Sequence, residues 1–181
     1  MSDSYKIATF GGGCFWCIET DMNRLIGVDK AISGYMGGKI ANPTYKEVCS
    51  GLTGHAEVVQ VHYDPDKISF NTLLSVFFSM HDPTTLNRQG ADIGTQYRSV
   101  IFFQDDSQKS EAELYIKELE NNGTYSNIVT EISPAETFYI AEDYHQNYYN
   151  GNRLSNSYCT VVIDPKVNKL RKAYAHLLKS E

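Results

Sequence analysis

Two cysteines, Cys14 and Cys17, follow three consecutive glycines at 11–13 and enclose Phe15 and Trp16, the latter the only tryptophan in the chain. A thiol that opens a helix sits beside unpaired backbone N–H groups and the positive end of the helix dipole. Both lower its pKa, so Cys14 is expected as a thiolate at neutral pH. Cys17 lies about one turn further along the same face, close enough to be its partner. Further on, Glu57 has the same parity as Val59 and Val61 in a run of strand type. A carboxylate turned toward the core must be paired or functional, because an unpaired buried charge is costly. Desolvation raises its pKa, which suits a proton donor. Phe15 and Trp16 supply an apolar wall, and the thirteen tyrosines supply hydroxyl donors. A thiolate, an acid, hydroxyls and an aromatic wall suit an electrophile that is small, weakly polar and oxyanionic once attacked. The plainer reading is a strand-turn-helix joint with core aromatics and a buried cysteine. The coincidence of triple glycine, helix-start cysteine, C-x-x-C spacing and paired aromatics outweighs it.

These groups need elements to hold them. The β-branched and aromatic run at 5–10 predicts a strand, released by the glycines into a helix over 14–25. A strand follows at 28–35, then a Gly-rich bend at 34–38 and a turn at 42–45. That loop carries Tyr35 and Tyr45, and it fits a site lining and an irregular surface loop equally well. Alternation predicts a strand within 56–65, and Ser69 caps an amphipathic helix through 80. A polar, Gly-punctuated loop at 87–98 is a second candidate lining. Beyond it come a strand at 99–103, an exposed helix at 105–121 stopped by Asn122-Gly123, and a strand at 128–132. A short helix at 141–149, an extended run at 158–163 and a basic helix at 165–178 complete the reading. Strands alternating with helices in this way predict an α+β class: one domain over 1–181, a two-layer sandwich of a mixed sheet with helices packed on it. Strand order is not fixed by the pattern.

Composition narrows the partners. The 181 residues are 41% hydrophobic and 21% charged, ordinary for a globular chain, and suffice for one buried core. A net charge of −6 argues against nucleic acid or an anionic membrane as partner. No apolar run approaches the roughly 20 residues of a membrane span. The polar Met1-Ser2-Asp3-Ser4 start lacks a secretory pattern, so a cytoplasmic location is expected; separately, the chain is expected to act as a monomer. Four cysteines, Cys14, Cys17, Cys49 and Cys159, suit a cytosolic redox enzyme better than a stapled secreted fold. Cys49 reads as a small buried hydrophobe. His62, His81 and His176 read as structural, and His145 either orients the nearby tyrosines or makes a structural hydrogen bond. The basic stretch 166–172 reads as a solvated helix face.

Five motifs bring a family into view. Gly-Gly-Cys-Phe-Trp at 12–16, Gly-Tyr-x-Gly-Gly at 34–38, Asn-Pro-Thr-Tyr-x-x-Val-Cys at 42–49, Thr-Gly-His-Ala-Glu at 53–57 and Gly-Thr-Gln-Tyr-Arg-Ser at 94–99 stand in order. The chain resembles the peptide methionine sulfoxide reductase A family from Gly12 to about Tyr158. The resemblance implies a ferredoxin-like sandwich and reduction of methionine-S-sulfoxide, free or in proteins, as oxidative damage repair. By it, Cys14 attacks the sulfoxide sulfur while Glu57 protonates the oxygen, helped by the hydroxyls of Tyr45 and Tyr97. Phe15 and Trp16 hold the methyl group, Tyr148 is a further pocket tyrosine, and Asp92 belongs to the polar network under the thiolate. No metal or bound organic cofactor is implied. The sulfenic acid left on Cys14 passes to a second thiol, and thioredoxin reduces the resulting disulfide. Here the chain departs from members that carry Gly after Phe-Trp and late cysteines in a Gly-rich tail. Cys159 and Cys17 are the two candidates, Cys159 slightly ahead because three residues of helix hold Cys17 rigidly.

Three other readings compete. A zinc site would use His55-Ala56-Glu57 with the C-x-x-C, but zinc deaminases place P-C-x-x-C after H-x-E. A thioredoxin-like oxidoreductase would not carry two bulky aromatics between its cysteines. A tyrosine-rich adaptor leaves Cys14 and Glu57 unexplained.

Overall fold

The computed structural model describes residues 5–152 and 155–180. The Met1-Ser2-Asp3-Ser4 segment of the sequence reading lies outside them. The first strand, β1 (Lys6–Gly11), leads through the glycines into α1 (Phe15–Asn23), and β2 (Val28–Met36) returns beside it. A short α2 (Tyr45–Cys49) precedes β3 (Ala56–Tyr63), and α3 (Phe70–Met80) follows. The loop after α3 holds a small hairpin of β4 (Arg88–Gln89) and β5 (Asp92–Ile93), then a 3-10 turn at Thr95–Tyr97. Next come β6 (Val100–Phe103), α4 (Asp106–Asn121), β7 (Glu131–Pro134) and β8 (Tyr139–Ile140). The last part holds a 3-10 turn at Asp143–His145, α5 (Tyr148–Asn152), a π-type turn at Cys159–Ile163, α6 (Asp164–Ala173) and a final 3-10 turn at Ala175–Leu177.

The main sheet runs β7-β6-β1-β3-β2-β8. Its central four strands, β6-β1-β3-β2, are all antiparallel neighbours joined in the order strand, helix, two strands, helix, strand. That is the ferredoxin-like arrangement. The parallel β6–β7 pair makes the sheet mixed. Alternation along β3 divides the core: Val59, Val61 and Tyr63 join the large cluster with α1 and α3, while Ala56 and Val58 face a small second cluster with Met36, Val100 and Phe102. Phe138 closes that second face. Glu57 takes the helix side with the valines, as its parity requires.

Several elements differ from the sequence reading. Asn42-Pro43-Thr44-Tyr45 is not only a turn, because Thr44 caps α2 in a capping box with Glu47. Cys49 consequently ends a helix and is exposed, not a buried hydrophobe. The run 158–163 is helical, not extended: Cys159 and Ile163, four apart, are both fully buried on one face, and that burial overrides the β-branched preference of the residues between them. The helix read at 141–149 is split between a 3-10 turn and α5, the strand at 128–132 begins at Glu131, and β8 had no strand signal. No helix among the described residues is long and apolar enough to cross a membrane.

Candidate active site

The site is built where β1 ends. Gly13 has φ +84°, a conformation that favours glycine, and its N–H donates to the Tyr97 carbonyl at 3.1 Å. Gly12 lies so close to the His81 ring that a Cβ there would come within 2.9 Å of it. The chain therefore turns tightly, and Cys14 becomes the N-cap of α1 with extended dihedrals of φ −64° and ψ 128°, not its first helical residue. Cys17 falls at N3, and its N–H donates to the Cys14 carbonyl at 3.2 Å.

The free donors at this helix start are partly claimed by Glu57. The Phe15 N–H donates to Glu57 Oε1 at 3.1 Å, a bond between residues from α1 and β3. Glu57 is fully buried, and its Oε2 has no hydrogen-bond partner among the described residues. Burial outweighs the Phe15 hydrogen bond and pushes the carboxyl up to about 8, with Asp92 adding to the rise. Glu57 thus holds a proton at neutral pH.

Cys14 corrects the expectation of a ready thiolate. Only 8% of it is exposed, and burial followed by the charges of Glu57 and Cys17 holds the thiol well above its ordinary value. One turn of helix dipole is worth less than full desolvation beside acidic groups. The thiol and the acid are therefore both protonated at neutral pH.

An aromatic cluster lies around the pair. Phe15 is buried against Tyr35 and Tyr45. Trp16 stacks on Tyr148 with centroids 3.7 Å apart and meets Tyr158 edge-on. Its indole N–H donates to His145 Nδ1 at 3.1 Å, so His145 orients the tryptophan. The Tyr45 ring packs on His145 with centroids 4.3 Å apart. Burial and the Glu57 charge raise both the Tyr45 and the Tyr97 phenols, which stay protonated donors. Asp92 accepts from the Tyr158 hydroxyl at 2.7 Å, and its charge reaches Cys14, Cys17 and Glu57. The site thus brings together Cys14, Phe15, Trp16, Glu57, Tyr45, Tyr97, Asp92 and Tyr148. Cys17 is coupled to Cys14, whereas Cys159 lies fully buried in the π-type turn.

Two residues were missed by sequence reasoning. Glu142 accepts from the Tyr35 hydroxyl and from the Tyr45 N–H, both at 2.9 Å, and so pins the 34–45 loop to the later chain. Tyr158, adjacent to Cys159, covers Trp16 and anchors Asp92. The density of tyrosines around 144–158 was the available signal.

The zinc reading fails on His55. Its Nδ1 accepts from the Gly38 N–H and its Nε2 meets the Ile40 carbonyl at 2.7 Å, leaving no lone pair for a metal. Among the described residues no group of three or more His, Cys, Asp or Glu side chains is placed to hold a metal ion.

The family model described as peptide methionine sulfoxide reductase matches residues 6–178. The chain belongs to that family. Relatives named peptide methionine sulfoxide reductase MsrA include one from Natronomonas pharaonis, 53% identical over 96% of this chain and 97% of its own length. Another, from Acinetobacter baumannii, is 54% identical over 96% of this chain and 98% of its own. Among solved structures, reduced Mxr1 from Saccharomyces cerevisiae superposes with TM-score 0.78 at 36% identity, covering 85% of this chain and 89% of that one. Mxr1 in complex with Trx2 gives TM-score 0.56 at 28% identity, over 81% and 86% of the two chains. This peptide methionine sulfoxide reductase is an oxidoreductase that returns methionine sulfoxide to methionine by thiol chemistry. In the reductase, the Phe15 N–H to Glu57 bond brings a buried acid to the helix whose N-cap is the buried Cys14.

Proposed function

We propose that Cys14 is the nucleophile and Glu57 the acid in reduction of methionine-S-sulfoxide, free or in proteins. The observation that carries this is the Phe15 N–H to Glu57 bond, which brings a proton-bearing carboxyl to the helix whose N-cap is Cys14. The sulfoxide oxygen meets the unpartnered Glu57 Oε2, with the Tyr45 and Tyr97 hydroxyls as further donors. Phe15 and Trp16, backed by Tyr148, take the methyl group, and Asp92 holds the polar side through Tyr158. As Glu57 gives its proton to the oxygen, the Cys14 sulfur attacks the sulfoxide sulfur, and the thiol proton restores Glu57. The methionine S–O bond and the new S–S bond then break as the hydroxyl oxygen bonds to the Cys14 sulfur, so that methionine leaves with the S–S electron pair and Cys14 is left as a sulfenic acid.

Cys17 is the first resolving thiol in this reading and Cys159 the second candidate. The N-cap and N3 positions are the two that a capping box brings side by side, and the extended dihedrals of Cys14 free it from the rigidity of the helix. A thioredoxin-type protein then reduces the disulfide; the complex of Mxr1 with Trx2 supports such a reductant. A reducing cytoplasm suits this cycle, with the chain acting as a single-domain monomer and binding neither nucleic acid nor membrane. Single-turnover reduction of a methionine-S-sulfoxide peptide by pre-reduced protein, with thiols counted, tests the reading. Methionine with loss of two thiols is expected, and Cys17→Ser is expected to stop at a trapped sulfenic acid. No methionine from fully reduced protein overturns it.

A further inference from the structure

Beside Cys17, α1 faces a small pocket that the steps above do not use. Cys17, Asp21, Val76, Met80, His81 and Lys166 bound it. Asp21 stands four residues after Cys17, so the two project from one face of α1 as neighbours. Asp21 is 2% exposed, and neither carboxyl oxygen has a hydrogen-bond partner among the described residues. Packing alone does not ask for such a group, since an apolar side chain would satisfy a site between Met80 and Val76 at far lower cost.

Lys166 from α6 and Arg24, the C-cap of α1, are positive groups acting on Asp21. His81, at the end of α3, is buried and held down to about 4, with its ring nitrogens engaged by the Phe77 carbonyl and the Ser99 hydroxyl. Tyr149 from α5 lies over Arg24, and its hydroxyl is bonded to Asp164. Neither His81 nor Tyr149 is free to serve Cys17.

We propose that Asp21 is the proton acceptor for the Cys17 thiol when that thiol resolves the Cys14 sulfenic acid. This rests on the reading of Cys17 as the resolving thiol. The Cys17 S–H bond breaks with its proton passing through one water in the shared cavity to Asp21, and the sulfur electron pair forms the bond to the Cys14 sulfur. The Cys14 S–O bond breaks, and hydroxide leaves as water with a proton from Glu57. Cys17 sulfur is oxidised and the sulfenic sulfur reduced by the same electron pair, so no further reductant is required. The proton on Asp21 replaces the one spent by Glu57, through solvent. Burial pushes the Cys17 thiol up to about 12, leaving almost no thiolate at neutral pH without a base. Burial set against Lys166 and Arg24 brings Asp21 to about 7, matched to accept a proton under those conditions.

The experiment follows single turnover of acetylated methionine-S-sulfoxide amide by pre-reduced wild type, Asp21→Asn, Asp21→Leu, Asp21→Glu and Cys17→Ser. Disulfide formation is timed against the methionine burst of the same sample, and dimedone traps sulfenic acid. Asp21→Asn and Asp21→Leu are expected to slow disulfide formation by about 100-fold or more relative to the burst, with sulfenic acid accumulating. The wild-type resolving rate should rise through about pH 7 and level, whereas without the carboxyl it should keep climbing toward the thiol pKa. Asp21→Glu should recover part of the rate. Asp21→Leu removes a buried carboxyl and is expected to fold at least as stably, which separates proton transfer from structural damage. Wild-type resolving rates and pH profile in both Asn and Leu variants overturn the proposal. If Cys17→Ser accumulates no sulfenic acid, the reading of Cys17 fails and the role of Asp21 falls with it.

Discussion

Replacing Glu57 by Gln should make the protein more stable while disabling its chemistry. Fully buried, Glu57 keeps its proton when folded up to about pH 8, against a starting value of 4.5 for the free side chain. Between those values the folded state binds one proton more than the unfolded state. The wild type therefore holds this contribution at low pH and loses it as pH rises through about 8. The loss is about 1.4 kcal/mol per pH unit, or about 5 kcal/mol across the interval. Gln preserves the oxygen that accepts the Phe15 N–H and places an N–H donor where the carboxyl O–H stood, but it does not titrate. Other buried acids, Asp21 and Glu19 among them, act equally in both proteins and cancel. Urea unfolding of both proteins across about pH 5 to 9 reads the difference, which should grow in favour of Gln by about 1.4 kcal/mol per unit and flatten above 8. Without an acid, single-turnover methionine formation should fall by about 100-fold or more. Parallel stability curves would show that Glu57 is ionised in the folded protein, and the proton-donor argument would collapse with them.

Other outcomes follow from single contacts. Wild-type methionine formation should decline as pH rises through about 8, where Glu57 loses its proton, a limb that a pH series of burst rates will show or deny. Trp16→Phe removes the hydrogen bond to His145 and weakens the stack on Tyr148. Steady-state kinetics should show a higher KM with a smaller change in kcat, and an unchanged KM would count against a methyl-binding role. Tyr158→Phe deletes a hydrogen bond to a carboxylate, worth about 1.5–3 kcal/mol, and should lower the urea midpoint accordingly. Gly13→Ala forces a positive φ on a residue with a Cβ and drives that atom to 2.7 Å from the Gln89 side chain. A thermal melt should show a loss of about 1 kcal/mol or more, and wild-type stability there would mean that the turn is not constrained as described.

What the sequence determined by itself was local or periodic. Glycines at 11–13 dictate a sharp exit from β1, and Ser69 and Asp105 announce the starts of α3 and α4. Parity along β3 placed Glu57 with Val59 and Val61, on the core side, so a raised carboxyl pKa followed before any contact was known. The family motifs added which residues to watch. Signals inside one element survive folding because backbone dihedrals and side-chain periodicity are set by neighbours in the chain.

Only the tertiary structure decided what those residues meet. Cys14 carries the local marks of a thiolate, yet burial beside Glu57, Cys17 and Asp92 raises it, because desolvation depends on everything packed around the sulfur. Thr44 and Glu47 form a capping box that moved Cys49 from a buried turn to an exposed helix end. The β-branched run before α6 wound into a helical turn because Cys159 and Ile163 share a buried face. Glu142, Tyr158 and Asp21 carried no motif, and their partners lie on other elements or, for Asp21, across a cavity between helices. Strand order came from long-range pairing, since residues 42 apart, Phe15 and Glu57, must be brought together before their hydrogen bond exists. A sequence pattern ranks the groups able to do chemistry, and packing sets their protonation and their neighbours.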